Sequence, residues 1–289
     1  MKLDPRNLDR RIIYLLVLLA LSLPLLTGYT VPPARMKSAQ DLFNVVASLE
    51  RRPGEIAFVA MDFGPNTIAE NGAQTEVVVE HLMRRRVPFA VFSQYIQAEP
   101  FLTSIPDRVA ARLMKEQPGE RWIYGTDWVN LGFRPGGYLV IQSIPKSDDL
   151  ARLFGRDARG NNLTDLPAFA GVKTLEDIPF LAEFTGLVGM FDSYVQFFQK
   201  KDYRPLFGHG CTSITIPEAF IYLDSGQLKG LLEGIAGAAW YSELLQRAYP
   251  HRERDSSAAI NTGLGVAHLV IVLLIVLGNV TAFFSRRRS

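Results

Sequence analysis

The chain's single cysteine, Cys211, stands two positions after a histidine, His209, in the glycine-rich stretch LFGHGCTS at 206–213. Gly208-His209-Gly210-Cys211, coming after an expected strand, resembles the start of a strand-to-helix nucleophile elbow, with the thiol as nucleophile and the imidazole as its base. An elbow must then open directly into a helix. Residues 213–220 instead read SITIPEAF, whose β-branched run ahead of a proline predicts extended chain. A reactive thiolate also needs a nearby cation or helix N-terminus, and the sequence locates neither. A nucleophilic role for Cys211 is therefore disfavoured.

Other polar residues follow short apolar runs. Asp62 and Asn66 come after IAFVAM (56–61), and Ser93 and Gln94 after VPFAVF (87–92). Ser143 lies near the end of YLVIQSI (138–144), His209, Cys211, Thr212 and Ser213 follow RPLF (204–207), and Asp224 and Ser225 follow AFIYL (219–223). If those runs are parallel strands, all these residues share the rim at the carboxyl ends, where ligands bind in such sheets. Asp62, Asn66, Ser93, Gln94, Ser143, His209, Thr212, Ser213, Asp224 and Ser225 form the expected binding set. Asp62, His209, Cys211 and Asp224 are the ones with catalytic chemistry. The competing explanation is turns and helix caps, which fully accounts for Asp224-Ser225-Gly226 and Asn71 ahead of expected helices.

The four histidines, at 81, 209, 251 and 268, lack any H-E-x-x-H or C-x-x-C pattern, so no metal site is expected. There is no G-x-x-x-x-G-K-[ST], and the first run ends in DFGPN rather than G-x-G-x-x-G, so no nucleotide cofactor is expected.

The elements that would position these residues alternate. Continuous apolar runs bounded by Gly, Pro, Asp and Ser suit strands covered on both faces. Between them, helices are expected at 39–51, 71–86 and 227–248. The fold class is α/β, resembling Rossmann-like architecture in its general grammar: a mostly parallel sheet flanked by helices. Residues 154–201 look like an excursion, with a polar loop at 155–169 and a helix at 181–198. The aromatic, turn-rich stretch WIYGTDWVNLGFRPGG (122–137) is expected to be buried as a cap on the sheet. Gly230 and Gly234 share a face of the last expected helix and would let another backbone approach. Asn162-Leu163-Thr164 forms a glycosylation sequon.

Two charge-free segments, 12–29 and 263–284, bracket this domain. At about 1.5 Å per residue the second spans roughly 33 Å, enough for a hydrocarbon core of about 30 Å. The first contains Pro24 and is shorter; an uncleaved anchor is favoured over a signal peptide because no A-x-A-like site follows. Arginines flank the outer end of each segment, which predicts both tails in the cytoplasm and the domain outside. The organisation expected is a basic tail (1–11), a span (12–30), a connector with a helix (31–54), an extracytoplasmic α/β domain (55–249), a linker (250–262), a span (263–284) and a basic tail (285–289).

A net charge of +2 with nearly balanced signs argues against nucleic acid as a partner. One cysteine excludes an intramolecular disulfide framework. The expected function is a non-enzymatic binding or assembly component of an envelope complex, partnered by the lipid bilayer and by a membrane or envelope protein or a second copy. The alternatives are a membrane-tethered hydrolase or transferase, and a small-ligand sensor acting through a partner.

Overall fold

A computed structural model describes residues 9–286; residues 1–8 and 287–289 of the two expected basic tails lie outside the described residues. Two compact units are formed, one from the chain ends (1–33 and 256–289) and one from residues 34–255.

The end unit consists of α1 (Arg10–Thr27) and the last helix, α10 (Ser257–Arg286). Both are long and apolar enough to cross a membrane, and both are largely exposed. Asp9 caps α1 by accepting the Arg11 N–H, and Gly28, at φ 69°, ends it in the left-handed conformation. The helix runs through Pro24, and α10 begins at Ser257, ahead of the expected start at 263. The two helices meet where Gly263 faces Leu21: a Cβ there would lie 3.0 Å from the Leu21 carbonyl oxygen. The Val31 N–H also donates to Thr262 Oγ1 at 3.0 Å.

The central unit runs α2 (Lys37–Ser48), β1 (Ala57–Asp62), α3 (Ala73–Arg84), β2 (Phe89–Ser93), α4 (Glu99–Glu116), β3 (Trp128–Phe133), α5 (Tyr138–Ser143), α6 (Leu150–Phe154), β4 (Phe180–Thr185), α7 (Met190–Phe197), β5 (Leu206–Cys211), α8 (Ile216–Asp224), β6 (Gly230–Glu233) and α9 (Gly234–Ala248). The six strands form one sheet in the order β3-β2-β1-β4-β5-β6, and every pairing is parallel. Alternation splits each strand between two cores. Ala57, Val59 and Met61 of β1 pack with α2, α3, α4 and α9; Phe58 and Ala60 pack with α5, α6 and α7. β1 and β4 are neighbours whose chains leave in opposite directions, which opens a switch-point crevice at their carboxyl ends.

Several expected elements are corrected. Residues 138–144 form α5 and a following 3-10 turn, not a strand: Ile141 and Ile144, three apart, are buried, whereas Tyr138 and Leu139 are exposed. Residues 219–223 belong to α8, which buries Ala219 and leaves Ile221 67% exposed. Pro217 suits the first turn of that helix, so 213–220 is a turn and helix start rather than extended chain. Short apolar runs do not reveal by period whether they are strand or helix.

The strands that take their places carry irregularities. β3 lies in the aromatic stretch at 122–137, with Trp122 and Trp128 buried as expected. Asn130 lies within the strand, and the register to β2 shifts opposite Val91 and Phe92, a β-bulge. β4 holds a lone acid, Glu183, so the expected helix at 181–198 is a strand, a turn and the shorter α7. β6 passes straight into α9 at Gly234, whose φ of 53° makes the corner. Gly230 is therefore in a strand and Gly234 at a corner, not on one helix face. Gly230 does admit another backbone: a Cβ there would meet the Leu42 nitrogen of α2 at 2.3 Å.

Candidate functional site

The carboxyl ends of β1, β4 and β5 gather most of the buried ionisable groups of one face of the sheet. Register sets this: Glu183 of β4 lies directly beside His209 of β5 on one side and Ala60 of β1 on the other, while Asp62, Thr185 and Cys211 form the next row. Helices α7 and α8 cover these rows with Phe191, Asp192, Tyr194, Glu218 and Tyr222.

Asp62 is fully buried and fully bonded. Its Oδ1 accepts from Ser93 Oγ at 2.9 Å and from the Gln94 N–H at 2.7 Å, and its Oδ2 accepts from the Tyr194 hydroxyl at 2.7 Å. Burial raises its pKa, and these three donors offset that only in part. Asp62 thus ties β1, β2 and α7 together.

Glu183 and His209 approach as an ion pair would, with Glu183 Oε2 2.7 Å from His209 Nδ1. Charge on either is opposed by the surroundings. Burial pushes His209 down to about 4 and Glu183 well above the usual carboxylate range, with Asp62 and Asp192 adding repulsion to the latter. His209 Nδ1 lies 3.0 Å from the Glu183 backbone carbonyl as well as against Glu183 Oε2, and Glu183 Oε1 is buried without a partner among the described residues. The imidazole stacks on Phe191 at 4.1 Å between ring centres.

Closer to solvent, the Tyr222 hydroxyl donates to Asp192 Oδ1 at 2.7 Å. Burial, then the facing Asp192 carboxylate, raises the pKa of half-buried Glu218, and His209 counters weakly. Gln94 is 9% exposed, and its side-chain amide lies against the Tyr194 hydroxyl.

Sequence and structure agree on Asp62, Ser93, Gln94, His209, Thr212 and Ser213 at or near strand carboxyl ends; Asn66 is exposed in the turn after β1. Ser213 donates from both N–H and hydroxyl to Glu70 Oε2, at 3.0 and 2.7 Å. Three other positions are corrected. Ser143 ends α5 and bonds back to the Val140 carbonyl at 2.6 Å. Asp224 and Ser225 end α8, which returns the chain to the start of β6, so they lie toward the opposite edge of the sheet. Ser225 bonds back to Tyr222 O and caps no following helix. Asp224 is thus not brought together with Asp62 and His209.

Asn71 is not a cap either. It sits in a wide helical turn, fully buried, and its Nδ2 donates to the Gly210 carbonyl at 3.2 Å and to Gln74 Oε1 at 3.0 Å. Gln74 then donates to the carbonyls of Cys211, Leu232 and Gly234 at 2.8–3.0 Å. This amide pair ties the ends of β5 and β6 across the other face.

The strand at 206–211 does open into a helix after one turn, closed by the Thr215 N–H on the Thr212 carbonyl at 3.0 Å. Cys211 is nevertheless inert by placement. It is fully buried, burial pushes its thiol up to about 12, and its Sγ lies 3.8 Å from the Leu232 carbonyl oxygen. His209, with Nδ1 committed to Glu183, makes no hydrogen bond to it among the described residues.

Sequence reasoning missed Glu183, Asp192, Tyr194, Glu218 and Tyr222. One signal was present: FLAEFT is an apolar run bounded by Pro179 and Gly186, like the runs that were read as strands. The fold and site define an α/β protein with a six-stranded parallel sheet, a buried carboxyl-rich switch point and an apolar helix at each end. No family model matches the chain, and no curated protein or solved structure does either.

Proposed function

We propose that this chain is a membrane-anchored, non-enzymatic binding or assembly component of an envelope complex. Its α/β unit, Rossmann-like in strand order, stands outside the membrane and both basic tails lie in the cytoplasm. The observation that carries the reading is an apolar rim. The loops after β2, β4 and β5 each present an exposed aliphatic side chain at the same end of the sheet: Ile96 at 53%, Val188 at 80% and Ile214 at 88% exposure. Those strands are three spacings apart, so the loops spread over about 14 Å. Apolar side chains kept in water on three loops at one end of the sheet suit a protein contact.

The alternative, a tethered hydrolase or transferase, has less support, because the shifts on His209 and Cys211 oppose base and nucleophile roles. Purification in mild detergent should recover stoichiometric partners or a defined oligomer, and Val188→Asp with Ile214→Asp should release them. A monomer in every detergent would overturn the assembly reading. Sidedness is read by protease added to spheroplasts: residues 31–261 should be cut before lysis, and protection until lysis would place them in the cytoplasm.

A further inference from the structure

A half-open cavity of about 330 Å³ lies at the amino ends of three adjacent strands, bounded by Glu55 ahead of β1, Pro88 ahead of β2 and Thr126 ahead of β3. This is the end of the sheet opposite the switch point. Pro53 and Pro167 complete its apolar walls with Pro88, and proline locks φ, so the walls are stiff. The loops that carry Pro53 and Pro167 also press together. Gly54 and Gly171 have positive φ, 80° and 87°, and a Cβ on Gly171 would lie 3.1 Å from Gly54 Cα. The cavity is therefore formed before any ligand arrives, and its volume falls in the range of about 300–1,000 Å³ found for small-molecule sites.

Two guanidinium groups on the lining, Arg51 and Arg52, have donors to spare. Arg51 has only a loose ion pair among the described residues, 3.8 Å from Asp127, which is too long for a hydrogen bond. Arg52 reaches Glu50 at 3.4 Å and Glu55 only at 3.9 Å. Each guanidinium carries five N–H donors in a planar fork, so most are left for water or a ligand. Two guanidiniums against the single carboxylate of Glu55 give the lining one net positive charge.

We propose that this cavity binds a small monoanionic carboxylate with a compact apolar body, its carboxylate held by Arg51 and Arg52 and its body against Pro53, Pro88 and Pro167. The guanidinium fork matches a carboxylate bidentately, and its weak hydration suits a place beside apolar walls. Glu55 sets the charge: a dianion meets its repulsion, whereas a monoanion balances the lining. The site lies at the other end of the sheet from the apolar rim, so the inference stands apart from the assembly reading and either can fail alone.

The test is titration calorimetry at pH 8 on the full chain in detergent, with each titrant also run into the same micelles without protein. The titrants are 3-phenylpropionate, the uncharged 3-phenylpropan-1-ol, and inorganic phosphate, a dianion at that pH. Saturable binding of the carboxylate is expected, with none of the alcohol above the micelle blank and weaker binding of phosphate. Arg51→Gln with Arg52→Gln alters only side chains more than half exposed, so it should fold. It should weaken carboxylate binding about tenfold or more, since two charge-assisted contacts are lost. Lys37→Gln removes a positive charge at the far end of α2 and should leave binding unchanged. No saturable binding of the carboxylate, equal binding of the alcohol, tighter binding of phosphate, undiminished binding by the double variant, or an equal loss in Lys37→Gln would each overturn the proposal.

Discussion

The buried Arg252–Glu80 network is where a single substitution has the largest expected effect on stability. The Arg252 side chain is fully buried in the segment after α9. It donates to both Glu80 oxygens, at 2.8 and 2.6 Å, to Asp255 Oδ2 at 2.6 Å and to the Ser242 carbonyl and hydroxyl at 3.1 and 2.9 Å. Glu80, also fully buried, is held by Arg84 and Arg112 as well, each at 2.8 Å. The network thus ties α3, α4 and α9 to the final turn of the central unit.

Glu80→Gln keeps the size of the side chain and removes its charge, leaving Arg252, Arg84 and Arg112 sharing a neutral amide. Breaking a buried pair at one partner costs about 3–5 kcal/mol. For a unit of this size each kcal/mol lowers Tm by about 2–4 °C, so the midpoint should fall by about 6–20 °C. All three tryptophans, 122, 128 and 240, lie buried in this unit, so intrinsic fluorescence reports its unfolding. Burial raises the Glu80 pKa, but the bond and charge of Arg252, with Arg112 and Arg84, lower it further, so the net shift is downward. A lowered carboxyl pKa adds stability that is present above the unfolded value of 4.5 and lost as pH falls through the folded value. Glu80→Gln should remove that part of the acid sensitivity as well. A midpoint within about 3 °C of the parent would refute the reasoning, since it would make these pairs worth no more than screened surface pairs.

Further outcomes follow from the same geometry. Burial pushes His81 down to about 3, helped by Arg85 and Arg84, against 6.5 when unfolded. The unfolded chain therefore binds the extra proton, and this stability is complete above pH 6.5 and is lost as pH falls toward 3. His81→Gln should shrink the difference in Tm between pH 7 and pH 5; an unchanged difference would contradict a buried neutral imidazole. Cys211 should resist maleimide at pH 8 until denaturant unfolds the unit, and rapid labelling of the native chain would place the thiol at the surface. Gly230→Ala drives a Cβ into the Leu42 backbone and should cost about 1–3 kcal/mol, whereas Gly119→Ala, with nothing within 4 Å, is the neutral control for the same melt.

The sequence by itself determined the class of fold, because the signal is local. Continuous apolar runs such as 56–61 and 87–92 became β1 and β2, and the apolar chain ends became α1 and α10. It also placed Asp62, Ser93, Gln94 and His209 along the chain, since each ends, lies within or directly follows a strand whose apolar run is unmistakable. Only the tertiary structure decided β3, β4 and β6. Residues 138–144 and 219–223 have strand-like composition, yet each buries only one side and so folds as a helix. β3, β4 and β6 carry a bulge, a lone acid and a glycine corner that blur the same signal. Glu183 illustrates the limit: within its own strand it reads as an interruption. Its meaning comes from His209 beside it and from Phe191 and Tyr194 above it, supplied by β5 and α7. Burial and register are properties of elements packed together, and no local spacing encodes them.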